Sequence, residues 1–378
     1  MTMLEVGDGI AHRPTTATVD LGALAHNVAA IRARVGQRRI MALVKANAYG
    51  HGLVPVSKAL IEQGVDELAV AFLEEGITLR RAGINHPILV LGGIIGNQIS
   101  HFIEHDLAIT ASSPYKLRQI DEVASVTGRR AKVHLKIDTG MERIGVHWDH
   151  ADLLFEAALA AKSCEIAGVF THFASSDSRD PTWTETQLSR FSDALEKWKK
   201  RGFVLPRVHA ANSGAVLQHE SALFDTVRVG ALLYGFYGSP NVARTVLVKP
   251  VLSLTTHVVY FKVVRAGSPV SYDGRWVAPR DTRVVTLPVG YGDGYMRALS
   301  NKAEVLIHGR RCPVVGSITM DAMMVDVGTG SAFNGDEVVL IGGQGNERIT
   351  VEELAERAGT IPYEILTSIS TRVPRRYV

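Results

Sequence analysis

Between Ile40 and Gly235 the chain repeats one pattern: a short, almost continuously apolar run followed by a longer amphipathic stretch. The apolar runs are IMALVK (40–45), ELAVAF (67–72), PILVLG (87–92), LAITA (107–111), KVHLKID (132–138), IAGVFTHF (166–173), RVHAAN (207–212) and TVRVGAL (226–232). A strand buried on one face alternates apolar with polar residues. A strand buried on both faces, as in a parallel sheet covered by helices, does not. The stretches between carry helix signals: Ser113 as an N-cap with Pro114 at the first helical position, and Gly202 closing TETQLSRFSDALEKWKKRG. Eight such units in roughly 200 residues match an α/β fold of the (β/α)8 TIM-barrel type. A doubly wound sheet with extra strands is the alternative.

The pattern changes after Leu247. Residues 248–342 are rich in Val, Thr, Gly and Pro and lack long helical periodicity; they read as strands within LSLTTHVVYFKVV, RVVTLPVGY, AEVLIHG, RCPVVG, AMMVDVG and DEVVLIGG. Two short helices close the chain, one opened by a capping box of Thr350 and Glu353, the other over 361–369. The expected division is a barrel over 1–245 and a mostly-β C-terminal domain over 246–378.

Bulk properties exclude several classes. Of 378 residues, 46% are hydrophobic and 21% charged, ordinary for a globular protein, and a net charge of +3 spread along the chain argues for neither nucleic acid nor membrane surfaces as partners; none of either kind is expected. Cys164 and Cys312 make neither a metal spacing nor a disulfide framework. No apolar run approaches a membrane span, and the opening MTMLEVGDGIAHRP lacks the apolar core of a secretory signal. The expectation is a cytoplasmic enzyme that uses a cofactor.

Reactive residues of a (β/α)8 barrel cluster where its strands end. Here the ends carry Lys45, the run Asp138 to Arg143, His172, Asn212-Ser213-Gly214 and Arg228-Val229-Gly230. One polar residue at an apolar strand's end is unremarkable; five on one rim make a site. Lys45 ends IMALV and opens the loop ANAYGHG, and an ammonium there is unfavourable unless paired or used chemically. A lysine amine at such a place suits an imine with a carbonyl cofactor. Tyr49 lies four residues on, and the Ser and Gly groups after the seventh and eighth strands suit a phosphate. An aldehyde and a phosphate together describe pyridoxal 5′-phosphate.

The chain resembles the bacterial alanine racemases, pyridoxal-phosphate enzymes built from this barrel and a β domain. The resemblance runs from TATVDLGALAHN (16–27) to TSISTRVPRRY (367–377) through VKANAYGHG, LKIDTGMERIG (135–145), THFASSD (171–177), HAANSGA (209–215), VRVGALLYG (227–235), VSYDG (270–274), LPVGYGDGY (287–295), TMDAMMVDV (319–327) and PYE (362–364). It implies that Lys45 bears the cofactor, that Tyr49, Ser213, Gly230, Ala231 and Tyr363 hold its phosphate beside Asn212, and that Arg228 faces the ring nitrogen. It implies racemisation by two bases on opposite faces of the α-carbon, Lys45 for D-alanine and Tyr272 for L-alanine, with His172 and Arg228 supporting the phenolate. Tyr272 would reach the partner's lysine across a head-to-tail homodimer with shared active sites. Arg143 would bind the cofactor's phenolic oxygen and the substrate carboxylate; Met320 and Tyr291 would touch the substrate and its entrance. Lys136 would be carbamylated beside Arg143.

Departures are small: Glu142 stands where the family often has Gly or Asn, Thr319 where it often has Cys, and RW follows VSYDG. The implied activity is interconversion of L- and D-alanine, supplying D-alanine for peptidoglycan or feeding alanine catabolism. Alternatives are a racemase of wider specificity acting on serine, which tyrosines at 291 and 363 disfavour, and a non-catalytic pyridoxal-phosphate binder, which the second domain disfavours. Decarboxylases of the same fold carry other motifs in place of VSYDG and TMDAMMVDV.

Overall fold

The computed structural model describes residues 13–378; the expectation about the chain's opening segment lies outside the described residues. The chain divides into two compact units, Leu21–Pro250 and Val251–Val378, the latter joined by the segment up to Asp20.

The strand β1 (Thr16–Val19) belongs to the second unit. The first unit is built on β2 (Arg39–Leu43), β3 (Glu67–Val70), β4 (Ile88–Val90), β5 (Ala108–Ala111) and β6 (Ala131–Asp138), then β7 (Val146–His147), β8 (Cys164–Phe170), β9 (Arg207–His209) and β10 (Thr226–Val229). All but β7 form one parallel ring, while β7 adds two residues beside the end of β6. The ring closes because β10 pairs with β2, Thr226 opposite Arg39 through Val229 opposite Ala42, and β5 pairs with β6. That closure decides for the barrel over the doubly wound sheet. Every residue of β3, β4, β5 and β10 is buried, which is why those runs carry no polar alternation. Helices follow the strands, among them Pro114–Thr127, whose N-cap Ser113 accepts from the Lys116 N–H, and Thr182–Lys200.

Several strands stop short of the apolar run that announces them. The first ends at Leu43 instead of Lys45, the second at Val70 instead of Phe72, the seventh at His209 and the eighth at Val229. At two of these ends side chains draw N–H groups off the ladder. The Glu75 carboxylate accepts from Ala71, Phe72 and Ala46, and Ser213 takes the N–H of Gly230 after the eighth strand.

Helix Leu21–Val35 is pinned by Asn27, which is wholly buried. Its side-chain amide donates to the carbonyls of Leu233 and Lys249, and its Oδ1 accepts from the Lys249 N–H.

The second unit is antiparallel in the main. Its strands are β11 (Leu252–His257), β12 (Tyr260–Val264), β13 (Pro269–Val270), β14 (Trp276–Val277), β15 (Thr282–Leu287), β16 (Glu304–Ile307), β17 (Arg310–Val315), β18 (Met323–Gly328), β19 (Glu337–Gln344), β20 (Glu347–Ile349) and β21 (Arg375–Tyr377). They run in the order β12-β15-β18-β17-β16-β19-β11-β1-β21, with β20 beside β19 and a separate β13–β14 hairpin. β11 and β18 alternate buried with half-buried residues, the signature of a sheet wet on one face. Val264, Val270, Ala278, Val284 and Val315 form a core patch under Trp276 and Met324. Thr350 caps Val351–Ala358 by accepting from the Glu353 N–H. The division differs from the expected 1–245 and 246–378 at both ends: Val251 begins the β unit, and β1 joins it by pairing antiparallel to β11 and parallel to β21.

Replacing Asn27 by Leu removes three buried hydrogen bonds and leaves two carbonyls and an N–H unmatched. The expected loss is about 3 kcal/mol, each buried group left unsatisfied costing roughly 1–3 kcal/mol. Comparison of the thermal unfolding midpoints of variant and parent checks it; an unchanged midpoint contradicts this account of the helix.

Candidate active site

Lys45 follows Val44, whose N–H still donates to the Ala69 carbonyl at the end of β3. Beyond it the backbone turns left-handed: Ala46, Asn47, Ala48 and Tyr49 have φ of 52°, 56°, 53° and 52°. L-residues avoid this conformation at about 1–2 kcal/mol each, so the turn needs external support. The Ala46 N–H donates to Glu75 (2.6 Å), Asn47 Oδ1 accepts from the Leu53 N–H (2.8 Å), and Gly50 ends the turn with φ 83°. Tyr234 stacks on Tyr49 with ring centroids 4.7 Å apart and donates its own hydroxyl to the Leu43 carbonyl, fixing the Tyr49 ring to the strand. Burial, and next the Arg143 charge, lower the Lys45 pKa against the pull of Glu75. A lowered ammonium pKa raises the fraction of free amine, the nucleophilic form.

Tyr49 reaches the turn after β10, where a Cβ on Gly230 would run into the Tyr49 hydroxyl. The Gly230 N–H donates to Ser213 Oγ at 3.0 Å. Ser213 begins the short helix Ser213–Gln218 after β9, whose N-cap Asn212 accepts from the Ala215 N–H through Oδ1 and takes the Ser176 hydroxyl on the same atom. Tyr49, Ser213 and Gly230 therefore meet in one small cup of hydroxyls and backbone, with Ala231 next along the chain.

Arg228 on β10 is 2% exposed. Its Nη2 donates to the carbonyls of Thr171 (2.7 Å) and Ala210 (2.9 Å) and to His172 Nδ1 (3.2 Å), and its Nη1 to His209 Nδ1 (3.0 Å). A guanidinium only donates, so both imidazoles must accept at Nδ1 and carry their proton on Nε2. His209 then donates to His134 Nδ1 at 2.8 Å. Burial, then the Arg228 charge, holds His172 and His209 well below the ordinary histidine range, so both stay neutral. Burial pushes Arg228 itself down to about 9, which still leaves it charged at neutrality. Gly168 opposite makes room for His134, whose ring a Cβ there would strike.

Two more basic side chains stand on β6 and its loop. The Lys136 Nζ is buried with no hydrogen-bond partner among the described residues and lies 4.7 Å from the Phe170 ring centroid. Burial, and then the charge of Arg228, lower its pKa far below the usual lysine value. Asp138 shapes the loop that follows, its Oδ1 accepting from the N–H groups of Gly140, Met141 and Glu142 and its Oδ2 from Arg143. Burial works against that carboxylate's charge, yet the four donors hold its pKa below the usual range. Arg143 is thereby held at its backbone while its side chain stays exposed within the unit.

The first unit thus brings Lys45, Tyr49, Lys136, Arg143, His172, Asn212, Ser213, Arg228, Gly230 and Ala231 to the strand ends of one barrel. Tyr272, Tyr291, Met320 and Tyr363 stand in the β unit. Tyr272 is 70% exposed in the β13–β14 connection, where Ser271 and Asp273 have φ of 66° and 63° and Ser317 Oγ donates to the Tyr272 carbonyl. Tyr291 and Gly292 donate their N–H groups to the carbonyls of Thr319 and Met320, joining those two loops. Sequence reasoning assigned no role to Glu75, His209 or Tyr234. His209 lies within the quoted motif HAANSGA, but Glu75 looks like an ordinary first-turn acid of helix Leu73–Arg81.

A family model described as the alanine racemase N-terminal domain matches residues 19–238, and one for the alanine racemase C-terminal domain matches 251–377. The chain is 46% identical to the alanine racemase of Symbiobacterium thermophilum over 97% of both chains. It is 42% identical to alanine racemase 2 of Caldanaerobacter subterraneus subsp. tengcongensis over 97% of this chain and 95% of that one. The crystal structure of the Bacillus anthracis alanine racemase with bound L-Ala-P superposes with a TM-score of 0.92 at 37% identity, covering 98% of this chain and 96% of that one. A closed parallel barrel with a lysine at the end of its first strand, followed by a β unit that matches in its turn, places the chain in the alanine racemase family.

Proposed function

We propose that the protein interconverts L- and D-alanine with pyridoxal 5′-phosphate bound at the strand ends of the barrel. The observation that carries this reading is a lysine with a destabilised ammonium beside the cup of Tyr49, Ser213 and Gly230. The donor set suits that cofactor: an amine for the aldehyde, hydroxyls and N–H groups for the phosphate with Tyr363 as a further hydroxyl, and Arg228 for the ring nitrogen. When bound, the cofactor supplies an aldehyde to Lys45 and a conjugated ring that acidifies the substrate's α C–H.

The chain's own groups move the protons. Lys45 Nζ, as free amine, takes or returns the α-proton on one face, serving D-alanine. Tyr272 of the partner subunit serves L-alanine from the opposite face in a head-to-tail homodimer. A free phenol titrates near pH 10 and needs its anion stabilised to act as a base at neutrality. Neutral His172, its Nδ1 occupied by Arg228, offers Nε2–H for that purpose. Arg228 always donates, so it leaves the ring nitrogen unprotonated and weakens the ring as an electron sink, disfavouring transamination. Arg143 matches a substrate carboxylate with its planar fork, aided by the Met320 N–H, and Tyr291 lines the entrance. By the family resemblance Tyr291 and Tyr363 would stand near the substrate's methyl group, where tyrosines disfavour larger side chains.

Lys136 is suited to carbamylation. Burial and the Arg228 charge favour its free-amine form; that form can add to carbon dioxide, a C–N bond forming and one proton leaving, to give an anion that attracts Arg143 where the ammonium would repel it.

The shared-site reading is tested by pairing variants. Lys45→Ala should abolish the visible absorbance of the bound cofactor and all turnover, and Tyr272→Phe should keep the absorbance but lose turnover by about a hundredfold or more, as removal of a general base does. Mixing the two should restore part of the activity once subunits exchange; proven exchange without recovery rejects a site built from two chains. For substrate range, incubation in D2O should deuterate the α-carbon of alanine much faster than that of serine, and equal rates would favour the broader racemase. For Lys136, labelled bicarbonate should give a carbamate carbon resonance that Lys136→Ala lacks; the same spectrum from both proteins removes the modification.

The pH dependence of Lys45 has a definite sign. Its pKa lies below the ordinary lysine value, so its amine is free at lower pH than that of a surface lysine, and Arg143→Gln should move its titration upward by removing a like charge. Acylation of cofactor-free protein followed against pH by mass spectrometry measures this, and a Lys45 that reacts in step with surface lysines refutes it.

A further inference from the structure

The helix Thr182–Lys200 lies outside the strand ends, yet two of its side chains reach into the site's framework. Gln187 is wholly buried. Its Oε1 accepts from the Ala174 N–H at 2.8 Å, and its Nε2 donates to the His172 carbonyl at 3.0 Å and to Thr139 Oγ1 at 3.2 Å. Thr139 in turn bonds Thr171 Oγ1 at 2.8 Å. One amide thus ties the end of β8, which carries His172, to the loop after β6, which carries Arg143.

Arg190, one turn along the same helix, strengthens the tie. Its guanidinium lies 5.2 Å from the ring centroids of both Trp148 and Trp183 and donates to the Thr139 carbonyl at 3.0 Å. The backbone passes so close that a Cβ on Gly140 would come within 2.7 Å of Trp183 and 3.3 Å of the Arg190 guanidinium. Residues three apart share a helix face, so Gln187 and Arg190 act on Thr139 from one side, by its hydroxyl and its carbonyl. The Thr171 carbonyl is itself a partner of Arg228. Displacement at Gln187 therefore reaches His172 directly, Arg143 through Thr139, and Arg228 through Thr171.

We propose that Gln187 is a positioning residue that holds His172 and the Arg143 loop in fixed mutual register, so that substrate carboxylate and phenolate are met by donors set at one spacing. This rests on the racemase reading for what those donors do, but not for the tie itself. No side chain other than an amide supplies one acceptor to Ala174 and two donors to Thr139 and His172 at that reach. A leucine of similar volume fills the space and makes none of these bonds. A glutamate keeps the acceptor, and its second oxygen can replace a donor only when protonated. Facing a carbonyl and a hydroxyl in a buried place, that carboxyl is held above its usual range against the opposing pull of the Arg190 guanidinium, which is already engaged by the Thr139 carbonyl, so the protonated form persists above the ordinary carboxyl range and is lost as pH rises.

The test uses the full-length holoenzyme and the variants Gln187→Leu and Gln187→Glu. Gln187→Leu is expected to raise the KM for alanine and lower kcat, with kcat/KM falling by about tenfold to a hundredfold, the scale of an ångström-sized misplacement. Amide hydrogen exchange over residues 139–147 and 171–175 should quicken while the rest of the barrel keeps its rates. Gln187→Glu should retain most of the parent's kcat/KM at the acid end, and its ratio to the parent should fall with rising pH through a titration absent from Gln187→Leu. If Gln187→Leu does not fold, that ratio decides alone. A flat ratio with unchanged exchange in both segments overturns the proposal. If the parent does not racemise alanine, the racemase reading fails, and the exchange rates alone judge whether Gln187 couples the two loops.

Discussion

A guanidinium closed inside a barrel must find acceptors for its N–H groups there, because an unmatched charge in that place is strongly unfavourable. Arg228 meets this requirement with two backbone carbonyls and two imidazole nitrogens, drawn from the ends of β8, β9 and the segments just beyond them. Much of the site follows from that single arrangement. It selects one tautomer for His172 and for His209, it holds the Thr171 and Ala210 carbonyls in place, and through His209 it orders His134 deeper in the barrel. Replacement of Arg228 by a residue able to accept would free both imidazoles to change tautomer, and the Nε2–H that His172 presents would no longer be assured.

The same arginine sets the electrostatic character of its neighbours. Lys45, Lys136, Arg143 and Arg228 are mutually repelling, and the carboxylates that answer them are Glu75 and Asp138, both already engaged by backbone N–H groups. Such a surplus of positive charge in a half-buried place does two things at once. It favours an anionic ligand, phosphate or carboxylate, and it lowers the pKa of every amine present, which turns lysines into nucleophiles. Lys136 receives the stronger push because it is fully buried, and conversion to a carbamate would relieve the repulsion there.

The sequence displays this architecture unevenly, for physical reasons. Buried parallel strands are apolar on both faces, so their runs stand out; Lys45 after one run and Arg228 inside another are each unremarkable alone and become readable only together with the other polar groups on the same rim. Strand ends are less readable, because Ala71 and Phe72 are as apolar as Val70 and only Glu75 draws their N–H groups away. β1 is hidden because TATV is four residues long and its partners, β11 and β21, lie at the far end of the chain. Gln187 and Glu75 sit in helices among polar neighbours and look like surface residues. Their burial and bonds are set by which loops the fold carries past them, and no local spacing encodes that.

The left-handed turn after Lys45 shows why the site must be paid for by its surroundings. Ala46, Asn47, Ala48 and Tyr49 all carry a Cβ that disfavours φ near 50°, and a right-handed turn over the same residues would be several kcal/mol more stable in isolation. The left-handed path is the one that sets the Tyr49 ring against Tyr234 and its hydroxyl against the Gly230 backbone. The strained form persists because its polar groups are already taken: Ala46 by Glu75, Leu53 by Asn47, and the carbonyls of Ala48 and Tyr49 by His51 Nδ1. Gly50 supplies the one position where φ 83° is free of penalty. Strain here is thus the consequence of holding an amine and a phenolic hydroxyl, four residues apart, at the mouth of one strand, and Glu75, Asn47, His51 and Tyr234 are the groups that make it tolerable.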